Sequence, residues 1–450
     1  MTDIMMTTSD QTTQENQKKQ ENSIDQTDTT NPINPADSTN TLWTRDFTII
    51  TIGSVISMLG NSLVGFAMSL MVLDYTNSSM LYAIYMVLYT LPQLITPIIS
   101  GAILDRFSRK KMIYTLDFIS AGIYLIMAIT LLNGIFNFPM FAMIVLLLGV
   151  IQSTYYIAYD SFYPLLITEG NYQKAYSISS MLETMTVVMV PVSTFVYNLV
   201  GIGPLMIINA VSFAIAAAFE MQIGHEEKYV EKRKNEVDNS DSKINQMLID
   251  IKEGVKYMRS EPALLAIVAY FGINMFACGA MDVLCLPYYK QNFHNGEYIY
   301  ALVFGMSFIG RAVGGGIHYK FKIPTKLKFI FALTIYIIIA IGEGTYMFLP
   351  IGLAAVVCFI TGISGVTSYT IRISSTQGYV PDEKKGRYNG AFQLITTIGL
   401  LIGQMAGGVM AQNMDARFVV FAGNMIALIA AITIIGGNRK EVAKIYNTDN

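Results

Sequence analysis

The chain has 450 residues, of which 53% are hydrophobic and only 14% charged, with a mean hydropathy of +0.45 and a formal net charge of -2. Such a composition belongs to a polytopic membrane protein and excludes a soluble enzyme. The three cysteines (Cys278, Cys285, Cys358) and three scattered histidines (His225, His294, His318) imply neither a disulfide framework nor a metal site.

In chain order, residues 1–43 are rich in Thr, Asp, Asn, Gln and Ser, with almost no large apolar groups and no signal-peptide pattern. They predict a disordered tail. Apolar runs then predict membrane-spanning helices at 46–73, 79–104, 112–133, 138–166, 177–202 and 204–223. After a polar segment, a second set is predicted at 262–288, 297–317, 328–349, 351–377, 388–411 and 416–436. The domains read as tail 1–43, six-helix bundle 44–223, linker 224–261, six-helix bundle 262–437 and tail 438–450.

Of 30 Lys and Arg, only Lys290 and Arg417 fall at outer loops, and only Arg311 and Arg372 lie well inside spans. The rest sit in tails and loops of one face, so both termini are expected in the cytoplasm and the protein in the plasma membrane. Within the linker, Ile244, Met247, Leu248, Ile251, Val255 and Met258 repeat at helical spacing. That stripe predicts an amphipathic helix on the inner leaflet or against the bundle.

The two halves read as copies. Gly101 with Gly315, Lys174 with Arg387 and Asn209 with Asn424 all recur at about 214 residues. Tyr319 replaces Asp105 in the second copy.

The hairpin GAILDRFSRKK (Gly101–Lys111) carries Gly101, Asp105, Arg106, Arg109 and Lys110 between two spans. It resembles the signature loop of the major facilitator superfamily. The stretches SMLGNSL, LPQLITPIISGAILDR, DIKEGVKYMRSEPALLAI and YVPDEKKGR are similar to the branch holding macrolide efflux and siderophore export proteins. The likeness implies an all-α membrane protein, twelve transmembrane helices in two pseudo-symmetric six-helix bundles, with a central cavity and proton-driven export. The fourth-span arginine of many drug/proton antiporters is missing, and Pro191 lacks the usual glycine neighbours.

Polar groups inside a membrane are costly, so those present are candidates for function. In this architecture the cavity residues are Asn61, Gln152, Tyr155, Tyr156, Asn274, Thr367 and Ser368. Asp160 and Arg372 occupy nearly equivalent positions on the fourth and tenth spans and are expected to pair as an inner gate when the cavity opens outward. Asp282 and Glu183 are further candidates for proton coupling, and Glu343 ranks below them. Glu220, near the inner surface, is expected to snorkel. The second-half inner loop contributes Pro381, Asp382 and Arg387.

No catalytic constellation, cofactor motif or metal-ligand spacing is present. The expected partners are a small-molecule substrate, protons and the lipid bilayer, without nucleic acid, for a protein acting as a monomer. The mix of Tyr, Met, Asn, Thr and Ser suits a bulky amphiphilic compound. Uptake by symport or facilitated diffusion is a second reading, and a transport-inactive sensor or scaffold a third.

Overall fold

A computed structural model describes residues 41–104, 107–168, 171–225, 240–321 and 323–447. The tail expected over residues 1–43 falls almost wholly outside them, as do Asp105 and Arg106 of the hairpin.

An apolar run in lipid must satisfy its own backbone, and the described residues accordingly form helices and no strand. The first half contains α1 (Arg45–Thr76), α2 (Ser79–Leu104), α3 (Arg109–Leu132), α4 (Phe138–Phe162), α5 (Tyr172–Val200) and α6 (Ile202–Glu220). Helix α7 (Ser240–Ser260) occupies the linker. The second half holds α8 (Pro262–Asn292), α9 (Gly296–Lys320), α10 (Lys328–Thr345), α11 (Ile351–Tyr379), α12 (Asp382–Met410) and α13 (Ala416–Ala430), followed by α14 (Arg439–Tyr446). Eleven of these segments are long and apolar enough to cross a membrane, and α5 adds the apolar stretch Met189–Val200. The twelve-helix reading of the sequence is therefore met.

Local chemistry fixes where several helices begin. Thr44, Ser108 and Asn137 each turn a side-chain oxygen onto the backbone N–H three residues on. Helix α12 starts earlier than expected, at Asp382 instead of 388, so Asp382 and Arg387 are helical and not in a loop. Pro381 stands at the N-cap and Asp382 and Glu383 fill the first turn, an arrangement the helix dipole favours.

Packing is the same in both halves. Helix pairs α1·α5, α1·α6, α2·α4 and α3·α6 recur as α8·α12, α8·α13, α9·α11 and α10·α13. Between the halves, α2 meets α12 and α5 meets α9, again a symmetric set. Close approach within a half rests on glycine: a Cβ on Gly279 would lie 2.1 Å from the Leu400 carbonyl oxygen, and one on Gly403 2.0 Å from that of Phe276.

The buried cores divide unequally along the bundle. At the end carrying the α1–α2 loop, here called the far face, one core draws on both halves, from Val64–Leu73 and Tyr82–Tyr85 to Val283–Leu286, Val303 and Tyr346. At the opposite end, the linker face, each half keeps its own core. One is built around Phe47, Ile113, Phe162 and Ile223, the other around Leu264, Tyr270, Tyr388 and Tyr446.

Candidate functional site

The far face is closed by polar contacts between halves. Asp74, in the last turn of α1, receives Lys290 Nζ of α8 at 2.7 Å and the Tyr197 hydroxyl of α5 at 2.6 Å. Asn198 Nδ2 donates to Glu297 Oε1 at 3.0 Å and to the Tyr298 hydroxyl at 3.2 Å. Deeper in, Phe66 stacks on Tyr300 with ring centroids 5.9 Å apart, and Gln404 Nε2 reaches Thr90 Oγ1 at 3.4 Å. A crevice of about 510 Å³ is lined by Asp74 and Lys290 together with Asn77, Pro287 and Gln291. Lys290, placed by the sequence at an outer loop, spans the two halves.

Below the closure, several of the expected cavity residues are brought together. Asn61 Nδ2 donates to Gln152 Oε1 at 3.4 Å, and the Tyr124 hydroxyl donates to Asn61 Oδ1 at 3.2 Å. Thr367 Oγ1 lies 2.7 Å from His318 Nε2, on α9, a histidine that sequence reasoning had set aside. Asn274 and Ser368 are buried, with Cys278 Sγ 4.0 Å from Asn274 Oδ1, while Tyr156 is 45% exposed. Asp282 and Glu343 are half-buried. Gln404 lies against Asp282, and the Arg311 charge acts on Glu343.

Tyr155 departs from the expectation. It is buried within the first half, its hydroxyl 3.4 Å from Glu220 Oε1. Glu220 departs further, being fully buried where snorkelling was expected. The reason is steric: Gly53 of α1 leaves room for its carboxylate, such that a Cβ there would lie 3.3 Å from Glu220 Oε1. Beside it is Asp117 of α3, 1% exposed and absent from the sequence candidates. Its signal was available, since it is an acid inside a predicted span.

Asp160 and Arg372 are not paired in this structure. Arg372 spreads its guanidinium over Phe392, Phe271 and Tyr369 at 4.5, 5.2 and 5.5 Å from the ring centroids, a cation–π cage within the second half. Asp160 is exposed at the end of α4. Of the hairpin residues, Arg109 donates to the Ser161 carbonyl at 2.8 Å and Lys110 to that of Ile223, tying α3 to the ends of α4 and α6. Gly101 lies in the last turn of α2; side-chain surroundings are not described for it or for Glu183 of α5. Arg387 holds α7 against α12 through Asp250 at 3.0 Å and Glu253 at 2.6 Å. Gly254 permits that contact, because a Cβ there would meet the Arg387 carbonyl oxygen at 2.2 Å. Of the two placements expected for the amphipathic helix, the structure shows docking on the bundle.

A joined far face, a divided linker face and two similarly packed halves match a known family. The model of the Major Facilitator Superfamily matches residues 50–404. The chain belongs to the Major Facilitator Superfamily. Among curated members, it is 25% identical over 308 residues to the uncharacterized MFS-type transporter YkuC of Bacillus subtilis, covering 65% of this chain and 70% of that protein. It is 21% identical over 403 residues to macrolide efflux protein A of Streptococcus pyogenes, covering 87% and 95% respectively. Among solved structures, a bacterial homologue of the iron transporter ferroportin in an inward-facing state superposes with a TM-score of 0.64 at 15% identity, over 87% of this chain and 98% of that one. The nucleoside transporter NupG superposes with a TM-score of 0.61 at 14% identity, over 87% and 99%. Both share the fold. The protein is a multi-pass membrane transporter and not an enzyme.

Proposed function

We propose that this protein is a secondary active exporter of amphiphilic organic compounds, driven by protons and working by alternating access. The observation that carries this reading is the division of the cores: one shared at the far face, two separate at the linker face. Such a body opens by parting a polar seam while each half stays intact. The linker face holds most of the short basic loops and is the cytoplasmic side in this reading, which makes the structure inward-facing. Residues 44–223 and 262–437 are the moving bundles and 224–261 the tether.

Substrate enters beside Asn61, Gln152, Tyr156, Asn274, Thr367 and Ser368, a lining with hydroxyls, amides and aromatic faces but few charges. The full-length similarity to macrolide efflux protein A supports export of a large, partly apolar molecule. When the linker face closes, Arg372 leaves its aromatic cage and meets Asp160, while Asp282 and Glu183 are further groups through which protons couple to the cycle. Arg109 and Lys110 anchor the hairpin to the first half during this motion.

The test is accumulation of fluorescent amphiphiles and antibiotics in cells expressing wild-type protein or Asp105→Asn, with and without a protonophore. Lower accumulation with wild type, abolished by the substitution and by the protonophore, is expected. Higher accumulation in expressing cells points to uptake, and no change across the panel, with the protein in the membrane, contradicts export of this class.

A further inference from the structure

Asp117 and Glu220 are the most deeply buried carboxyls among the described residues, at 1% and 0% exposure. They project from α3 and α6, two of the most closely packed helices of the first half, and Glu220 is the charged neighbour of Asp117. Asp117 Oδ2 and Glu220 Oε2 are each sealed from solvent and accept no hydrogen bond. The hydroxyl of Thr51, on the same stripe of α1 as Ser54, is also buried and unpartnered.

Among the described residues, no cation compensates them. From α1 come Thr51, Gly53, Ser54 and Ser57, all uncharged, while Asp46 is engaged with the Gly224 backbone N–H at 2.9 Å. From α4 come Tyr155 and Tyr159, stacked at 6.0 Å, with Tyr155 donating to Glu220 Oε1. On α3 itself, Arg109 and Lys110 are directed to the carbonyls of Ser161 and Ile223. Helix α5 touches α6 lightly, and its Lys174 is exposed.

An ionised carboxylate seeks several donors, and here a single long hydroxyl contact serves two of them. A protonated carboxyl supplies an O–H of its own and removes one charge from a site with no counter-ion among the described residues. Access is short as well, because Glu220 is the last residue of α6, one turn from the linker-face loop that Lys110 holds.

We propose that Asp117 and Glu220, steadied by the Tyr155 hydroxyl, form a proton-binding site inside the first bundle and hold the coupling proton of the transport cycle. The coupling role rests on the proton-driven reading above; the proton site itself does not. It lies between two helices of one bundle, so that protonation acts on how α3 and α6 pack.

The experiment is infrared difference spectroscopy of the full chain in lipid nanodiscs, titrated with pH, alongside protonophore-sensitive transport in cells. A protonated-carboxyl band present at neutral pH in wild type is expected, lost in Glu220→Gln and lost or displaced in Asp117→Asn. Tyr155→Phe keeps both acids and guards against misfolding of the other variants; its band is expected to persist at a changed frequency and titrate at a changed pH. A band absent from wild type, or identical in all three variants, overturns the site. A band abolished by sodium at constant pH assigns the pair to a metal cation and equally overturns it. Protonophore-sensitive transport at the wild-type rate in Asp117→Asn/Glu220→Gln removes the coupling role while proton-driven export stands. Wild-type transport indifferent to the protonophore removes proton-driven export and the coupling role with it, while leaving the infrared assignment intact.

Discussion

The two ends of the bundle are built on different terms. At the linker face each half owns its own core, and side chains such as Tyr156 and Tyr369 are left 45% and 59% exposed. At the far face one core runs through both halves and is closed by side-chain pairs, chiefly Asp74 with Lys290 and Asn198 with Glu297. Within the second half, by contrast, helices meet backbone to backbone at glycine, as Gly279 does at Leu400. Contacts of the second kind cannot part without unfolding, whereas the seam can, and this is the asymmetry an alternating-access body requires.

The comparison can be broken most severely inside a half. Gly279→Val places a Cβ 2.1 Å from a carbonyl oxygen on α12, where only backbone could give way. It is expected to cost about 3 kcal/mol or more and to eliminate the monodisperse folded species in size-exclusion chromatography after solubilisation. The corresponding insult at the seam, Gly408→Val, meets the Ala83 side chain at 2.4 Å instead. It is expected to leave the fold intact and to force the far face apart, read as faster labelling of a cysteine placed at Asn77.

Asp74→Ala comes next. It leaves Lys290 and the Tyr197 hydroxyl without their shared acceptor. Because Asp74 is 39% exposed, the effect is expected near 1 kcal/mol, about a fivefold shift toward the open far face, shrinking at high salt. Asp74→Lys combined with Lys290→Asp is expected to restore much of the closure, and failure to do so would show that the seam depends on the apolar core alone.

Arg387→Ala has a smaller and more local outcome, since its partners Asp250 and Glu253 are 38% and 49% exposed. Faster proteolysis of the linker with only a small change in melting temperature is expected, because two exposed ion pairs are lost while Met258 keeps the end of α7 in the second-half core.

The smallest effect concerns pH at the far-face loop before α13. The Arg417 guanidinium hydrogen-bonds Asp415 and holds its carboxyl below the ordinary aspartate range. A depressed carboxyl stabilises the fold above its unfolded-state value, near pH 4, and that contribution disappears as the pH falls through the folded-state value. With both side chains 37% exposed, solvent screening reduces it to a few tenths of a kcal/mol. Melting curves of wild type and Arg417→Gln are expected to differ slightly at pH 7 and to converge once the pH falls below the folded-state value of Asp415.

The fold was legible because lipid leaves a long apolar run little choice but helix, and because two sets of six runs repeat at nearly constant offset. Helix facing was not legible. A span apolar all round carries no stripe to tell cavity from neighbour, so Tyr155 was placed on the cavity although it points to Glu220. Glu220 lay close enough to a helix end to be read as snorkelling, and only the absence of a side chain at Gly53 shows why it turns inward. Asn61 and Gln152 were both assigned to cavity-lining spans, and the structure joins them by a hydrogen bond that the sequence did not indicate. The Asp74–Lys290 bridge joins residues 216 positions apart at the ends of two equivalent spans, where either charge alone reads as ordinary helix-end hydration.

The measurement that bears most directly on alternating access is the distance between spin labels across each end of the bundle. One pair would be placed at Asn77 and Gln291 on the far face and another at Leu165 and Tyr379 on the linker face, after replacing Cys278, Cys285 and Cys358. With Asp74 and Lys290 intact, a single short far-face distance is expected. In Asp74→Ala/Lys290→Ala, a longer far-face population should appear together with a shorter linker-face population in matching proportion. Distances that stay fixed at both ends, or lengthen at both together, would contradict a body that opens one face by closing the other.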